Sequence, residues 1–94
     1  MTPTAPPTER EPLTRAVELL AAGEWQRAHE IVQALSSTMA AWLHGIVHTL
    51  EGDLANARYW YGQVGRVFPG AQAVQAEIGS ARLAIRGDGE SREI

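Results

Sequence analysis

The stretch LAAGEWQRAHEIV, from Leu20 to Val32, is followed 29 residues later by TLEGDLANARYWY, from Thr49 to Tyr61. Aligned, Gly23 meets Gly52, Glu24 meets Asp53, Trp25 meets Leu54, Ala28 meets Ala57 and Val32 meets Tyr61. A repeat of about 20–50 residues marks a chain that stacks one supersecondary unit on the next. In each copy a glycine closes one apolar helical pattern and an acidic residue precedes another, so each copy reads as a helix end, a tight turn and a helix start.

The pattern extends outward from both copies. Pro12 suits the first turn of a helix, where a missing N–H costs nothing. Leu13, Val17 and Leu20 recur at helical spacing, with Ala16 and Leu19 beside them, up to Ala22-Gly23. Trp25, Ala28, Val32 and Leu35, flanked by Ile31, predict a second helix. Ser36-Ser37-Thr38 breaks it, and Ser37 or Thr38 can cap a third helix carrying Met39, Leu43, Ile46, Val47 and Leu50. Gly52 stops that helix and Asp53 caps a fourth, with Leu54, Ala57, Tyr61, Val64 and Phe68 on one stripe up to Pro69-Gly70. A fifth, about residues 71–86, shows Val74, Ile78, Ala81 and Ile85. No stretch alternates as a strand does. Links of two to four residues make neighbouring helices antiparallel. The expected organisation is a flexible arm over 1–10, rich in proline and threonine, a single helical domain over 11–86, and a flexible polar tail over 87–94.

Composition narrows the function classes. A chain of 94 residues buries only about 60–65% of the surface its unfolded form exposes, so its core must be simple and regular. The eight basic residues are all arginine and scattered, within a net charge of −3; no basic stripe forms to bind nucleic acid. The absence of cysteine removes disulfides, thiolate metal sites and thiol catalysis. The opening MTPTAPPT lacks the basic and apolar regions of a signal peptide, and no apolar run reaches the roughly 18 residues of a membrane span. The expected location is the cytoplasm of a bacterial cell.

The repeat resembles the tetratricopeptide family. That family's first-helix glycine, Gly-Asp turn, second-helix alanine and aromatic, and closing proline fall on Gly45, Gly52-Asp53-Leu54, Ala57, Tyr61 and Pro69. The first hairpin matches through Ala16, Leu19, Gly23-Glu24-Trp25, Ala28 and Val32. The resemblance covers about residues 12–69. It implies an all-α, right-handed stack of two antiparallel helix hairpins, with the fifth helix capping its exposed end. The 29-residue offset is shorter than the roughly 34 residues typical of the family. Small residues at Gly45, Ala28 and Ala57 fit close helix approach. A narrower stretch, His-x3-His-x2-Glu-Gly-Asp-x2-Asn-Ala-x-Tyr-Trp-Tyr from His44, resembles the signature of a group of uncharacterised bacterial and fungal helical-repeat proteins, which implies no activity.

That stretch holds the candidate chemistry. His44, His48 and Glu51 stand at i, i+4 and i+7 and share a helix face. Two histidines at this spacing can ligate a divalent transition metal, with Glu51, Asp53 or His29 as a further ligand. The zincin glutamate is missing, because Gly45 follows His44. The plainer reading is a polar seam inside the hairpin, with Tyr61, Tyr59 and Asn56 as hydrogen-bond partners for the imidazoles. Asp53 has a cap to make, with Asn56 at its N3 position.

Tyr59, Trp60 and Tyr61 sweep about 200° of the helix circumference and cannot all face one core. Tyr61 belongs to the core stripe, while Asn56, Trp60 and Gln63 form another face. Trp42 sits off the third helix's main stripe. An exposed tryptophan serves as a contact anchor; burial beneath the fifth helix is the alternative. Arg58 and Arg66 read as solvated. No serine has a histidine–acid partner pattern, and no glycine-rich phosphate loop follows a strand.

Two functions follow. One is a non-catalytic interaction module with no cofactor. It binds a peptide, a partner helix or a second copy through the groove of the first and third helices, using Trp42, Asn56, Trp60 and Gln63. The alternative is a small-molecule or metal-binding domain, with or without enzymatic activity, built on His44, His48, Glu51, Asn56 and Tyr59.

Overall fold

The computed structural model describes the backbone of residues 4–90 and the side chains of residues 4–86. Five α-helices follow in order: α1 Arg10–Ala21, α2 Trp25–Val32, α3 Thr38–Glu51, α4 Leu54–Gln63 and α5 Val74–Glu90. Short 3-10 turns, Pro7–Glu9 and Ala71–Ala73, precede α1 and α5. No strand occurs among the described residues, and no helix there is long and apolar enough to cross a membrane. The starts of α2 at Trp25 and α4 at Leu54 keep the 29-residue offset of the sequence repeat.

Local chemistry sets the helix starts. Ser37 Oγ accepts the Ala40 N–H at 3.1 Å, and Asp53 Oδ1 accepts the Asn56 N–H at 3.3 Å. Each cap satisfies a helix-terminal donor that has no partner inside the helix. The apolar stripes then bury as their spacing predicts: Leu13, Ala16, Val17 and Leu20 on α1, Ala28 and Val32 on α2, Ala57 and Tyr61 on α4, and Ile78, Ala81 and Ile85 on α5.

The helix α3 occupies the centre. The other four helices all pack on it, and every residue from Trp42 to Thr49 is buried. Of the two readings of Trp42, burial beneath the fifth helix holds, and its place among the exposed partner contacts is corrected. Its side chain is 0% exposed, because a helix enclosed on all sides has no solvent face.

Helix α5 packs on α1 and α3. It thus fills the groove that the sequence assigned to a partner instead of closing the end of the stack. A half-buried carboxylate holds it there. Glu77 Oε1 accepts the Trp42 indole N–H at 3.1 Å and the Tyr61 hydroxyl at 2.8 Å, and Oε2 faces the Arg66 guanidinium at 3.3 Å. The same guanidinium lies 3.9 Å from the centre of the Trp42 ring. Arg66 is therefore a packed, paired residue and not the solvated one expected. At the surface, Arg82 and Glu18 form a two-pronged bridge at 2.7 and 2.8 Å between α5 and α1.

Four boundaries differ from expectation. Helix α2 ends at Val32, so Leu35, expected on its stripe, lies in the link to α3. Helix α4 ends at Gln63, not at Pro69-Gly70. Gly65, at φ 71°, lets Arg66 N–H turn back to the Tyr61 carbonyl at 3.1 Å, a left-handed stop that a side chain would strain. The segment expected as a free arm is folded from residue 5: Ala5 is buried against the core, and the 3-10 turn follows. Helix α5 runs to Glu90, into the segment expected as a tail; residues 1–3 and 91–94 lie outside the described residues.

Candidate metal centre

Two helices bring three histidines together. His44 and His48 stand one turn apart on α3, and α2 presents His29 to both. The Nε2 atoms of His29 and His44 are 3.0 Å apart. Ring centroids lie at 4.8 Å for His29–His44, 5.4 Å for His29–His48 and 5.2 Å for His44–His48. One nitrogen from each ring falls within 4.8 Å of the other two. His44 and His48 are buried at 8% exposure each, and His29 is half-buried.

The surroundings prepare these rings as ligands. His48 Nδ1 contacts Glu51 Oε1 at 2.7 Å. A carboxylate can only accept, so Nδ1 donates, and in the neutral form of the ring the lone pair is then on Nε2. A carboxylate on the far nitrogen of a ligating histidine fixes its tautomer and raises its basicity. His44 lies flat on the Trp60 indole, with centroids 3.9 Å apart and planes 4° from parallel. Burial, followed by repulsion from His29 and His48, pushes the His44 pKa down to about 4. His44 is thus neutral near pH 7, the form that binds a metal.

The His29–His44 pair lies near the spacing of ligands on a transition ion, and His48 stands within 4.8 Å of both. Around a tetrahedral zinc with Zn–N bonds of about 2.0–2.1 Å, ligand nitrogens stand about 3.3 Å apart. The His29–His44 separation of 3.0 Å is about 0.3 Å short of that value, and the nitrogen of His48 must close in from within 4.8 Å. Three imidazole ligands suit zinc, copper, nickel or cobalt and not magnesium or calcium, which take oxygen ligands.

His44 and His48 are brought together as the sequence spacing predicts. Glu51 reaches the outer nitrogen of His48 instead of joining the three ring nitrogens as a fourth ligand. It does stand with His48 and Asp53 in a second ligand-type group, but the Asp53 carboxylate caps α4 and both acids are exposed. The hydrogen-bond partners expected for a seam also differ. His44 meets His29 rather than Tyr59 or Asn56, and the Tyr61 hydroxyl goes to Glu77. Burial and that hydrogen bond raise the Tyr61 pKa.

Trp60 is half-buried over His44, Asn56 half-buried and Gln63 exposed. Among the described residues no hydrogen bond ties Asn56 or Gln63 to the histidines. Tyr59, 57% exposed, meets only the edge of Trp60. Sequence reasoning did not single out Glu77. The signal was present: Glu77 lies at i+3 from Val74 and i−4 from Ala81, on the buried stripe of α5, where a carboxylate needs partners.

Comparison of the chain with protein-family models, with curated proteins and with solved structures gives no significant match. The site therefore has to be read from its own geometry.

Proposed function

We propose that this chain is a small helical metal-binding domain that holds one divalent transition ion between α2 and α3 through His29, His44 and His48. The observation that carries the reading is the convergence of three imidazole nitrogens within 4.8 Å, with the far nitrogen of His48 on a carboxylate. An ion there ties α2 to α3, and its binding energy adds to the stability of the fold.

The helix order supports a tetratricopeptide-like stack as the frame of this site. Its marks are the 29-residue offset between α2 and α4, and the close approach of α3 to α4 at Gly45. An interaction module remains the second reading, and the favouring observation is the half-buried Trp60 beside exposed Gln63 and Tyr59. A peptide groove between α1 and α3 receives no support, because α5 fills it.

The test is calorimetric titration of EDTA-treated protein with Zn²⁺, Co²⁺, Ni²⁺ and Cu²⁺, followed by thermal unfolding. One ion per chain should bind and raise the unfolding midpoint. His29→Ala, far from both histidines in sequence, should abolish the effect, and Glu51→Gln should weaken binding by about 10–100-fold. Binding of no ion at micromolar concentration, or binding untouched by His29→Ala, refutes the reading.

A further inference from the structure

Resting on the three-histidine reading of the site, we infer that Glu51, Asp53 and Nδ1 of His48 form an outer cation-capture site, through which a divalent transition ion reaches the enclosed position between His29, His44 and His48.

Two groups of ligand-type atoms share one side chain. His48 stands with His29 and His44 in the first and with Glu51 and Asp53 in the second, and the atoms of each group lie within 4.8 Å of one another. The two nitrogens of an imidazole sit on different edges of the ring, so one ring can serve both groups. Nδ1 of His48 faces Glu51 Oε1 at 2.7 Å, which leaves Nε2 to ligate with the other histidines.

The two groups differ in exposure. His44 and His48 are buried, and the Trp60 indole lies flat on His44. Glu51 and Asp53 are both exposed. An ion arriving on this side from water meets the carboxylates before it meets the buried nitrogens.

The turn after α3 builds the outer group. Gly52, at φ 94°, folds the chain back so that the Asp53 N–H bonds to the His48 carbonyl at 3.0 Å, which returns Asp53 to the side of His48. Oδ1 of Asp53 caps α4, and the carboxylate keeps its charge while doing so. Glu51 is the last residue of α3, where the helix dipole adds partial negative charge. The arginine of α4 does not cancel these charges by pairing with them, since Arg58 lies over the Phe68 ring at 5.3 Å.

The donor sets order the two positions. Imidazole suits zinc, copper and nickel better than carboxylate does, so the outer group collects the ion and the inner one keeps it. With the ion on Nδ1 the ring proton sits on Nε2. As the ion passes to Nε2 the proton returns to Nδ1, where Glu51 accepts its hydrogen bond, and His48 neither gains nor loses a proton overall.

The experiment mixes the metal-free full chain with Ni²⁺ by stopped flow and follows the quenching of tryptophan emission. Asp53→Asn removes one charge and keeps an equally good helix cap. It should slow capture about fivefold at low ionic strength, and the effect should shrink in about 0.5 M salt. Glu30→Gln removes the same charge beside half-buried His29, the rival approach to the cluster, and should slow capture by less than about twofold. Equal slowing by the two variants means that only overall charge draws the ion. No slowing by Asp53→Asn means that the ion enters elsewhere. Either result overturns this inference while Ni²⁺ still binds and the metal reading stands. A wild-type chain that binds no Ni²⁺ overturns both. If Asp53→Asn does not fold, Asp53→Ser, which also caps and also lacks the charge, is measured against the same expectation.

Discussion

Gly45→Ala sets two effects against each other. In a helix interior alanine is more favourable than glycine by about 1 kcal/mol, because glycine loses more backbone freedom on folding. In α3, however, a methyl group there would stand 2.7 Å from Cδ1 and 2.8 Å from Cε1 of Tyr61. Carbons in good contact lie at about 3.5–4.0 Å, so the overlap approaches 1 Å. The ring has no easy retreat. It is 2% exposed, its hydroxyl is held by Glu77 at 2.8 Å, and Phe68 packs edge-on with centroids 5.3 Å apart. Relief has to come from moving α4 away from α3. Overpacking of this kind costs about 1–3 kcal/mol, so the steric effect outweighs the propensity gain and the variant should lose about 1–2 kcal/mol. Stability of a chain this size is about 5–14 kcal/mol, so the variant still folds. The same outward shift lifts Trp60 from His44, which a red shift in tryptophan emission reports.

Urea unfolding followed by circular dichroism measures the loss, and an unchanged m-value assigns it to stability rather than to compactness. In a Tyr61→Val background, which removes the ring, Gly45→Ala should become neutral or stabilising. A Gly45→Ala protein as stable as wild type, or one whose loss persists without the Tyr61 ring, refutes the claim that this contact sets the α3–α4 distance.

Two further outcomes follow from the buried polar groups. Glu77→Ala leaves the Trp42 indole N–H, the Tyr61 hydroxyl and the Arg66 guanidinium without their acceptor and should cost about 3–5 kcal/mol. Glu77→Gln keeps an acceptor for the first two and should cost about 1–2 kcal/mol; equal losses in urea unfolding would show that the carboxylate is not the shared partner. The second outcome concerns pH in the EDTA-treated protein. His44 has a folded pKa of about 4 against an ordinary 6.5, so the unfolded chain takes up its proton first. Its contribution to stability is complete above about pH 6.5, falls as the pH drops toward 4 and is then constant, with about 2 kcal/mol gone by pH 5. His44→Phe should flatten the slope between about pH 7 and pH 5; an unchanged slope would assign the acid sensitivity to other groups.

Helical periodicity made the five elements legible because each outer helix buries one stripe, and Leu13–Val17–Leu20 or Ile78–Ala81–Ile85 announces it directly. The same rule misplaced Trp42. Reading one stripe on α3 assumes a solvent face, yet Thr38–Leu50 contains no Asp, Glu, Lys or Arg, and a helix apolar all round is an enclosed one. His44 and His48 were legible as a pair because one helix spaces them. His29, 15 residues earlier on another helix, was legible only as one of three candidates beside Glu51 and Asp53, because its approach depends on the register of α2 against α3, which periodicity within either helix does not fix. The enclosure of α3 also bears on what the histidines do. A central helix packs most cheaply with hydrocarbon, which needs no partners for its side chains. The enclosed face instead carries two imidazoles, aligned by Glu51 and Trp60 and facing a third across a 3.0 Å nitrogen–nitrogen contact. One proton can satisfy that contact, but burying two imidazoles and half-burying a third is a costly way to hold two helices together. An ion shared by all three nitrogens satisfies them together and offsets that cost, which is the physical reason to favour a metal centre over a packing seam.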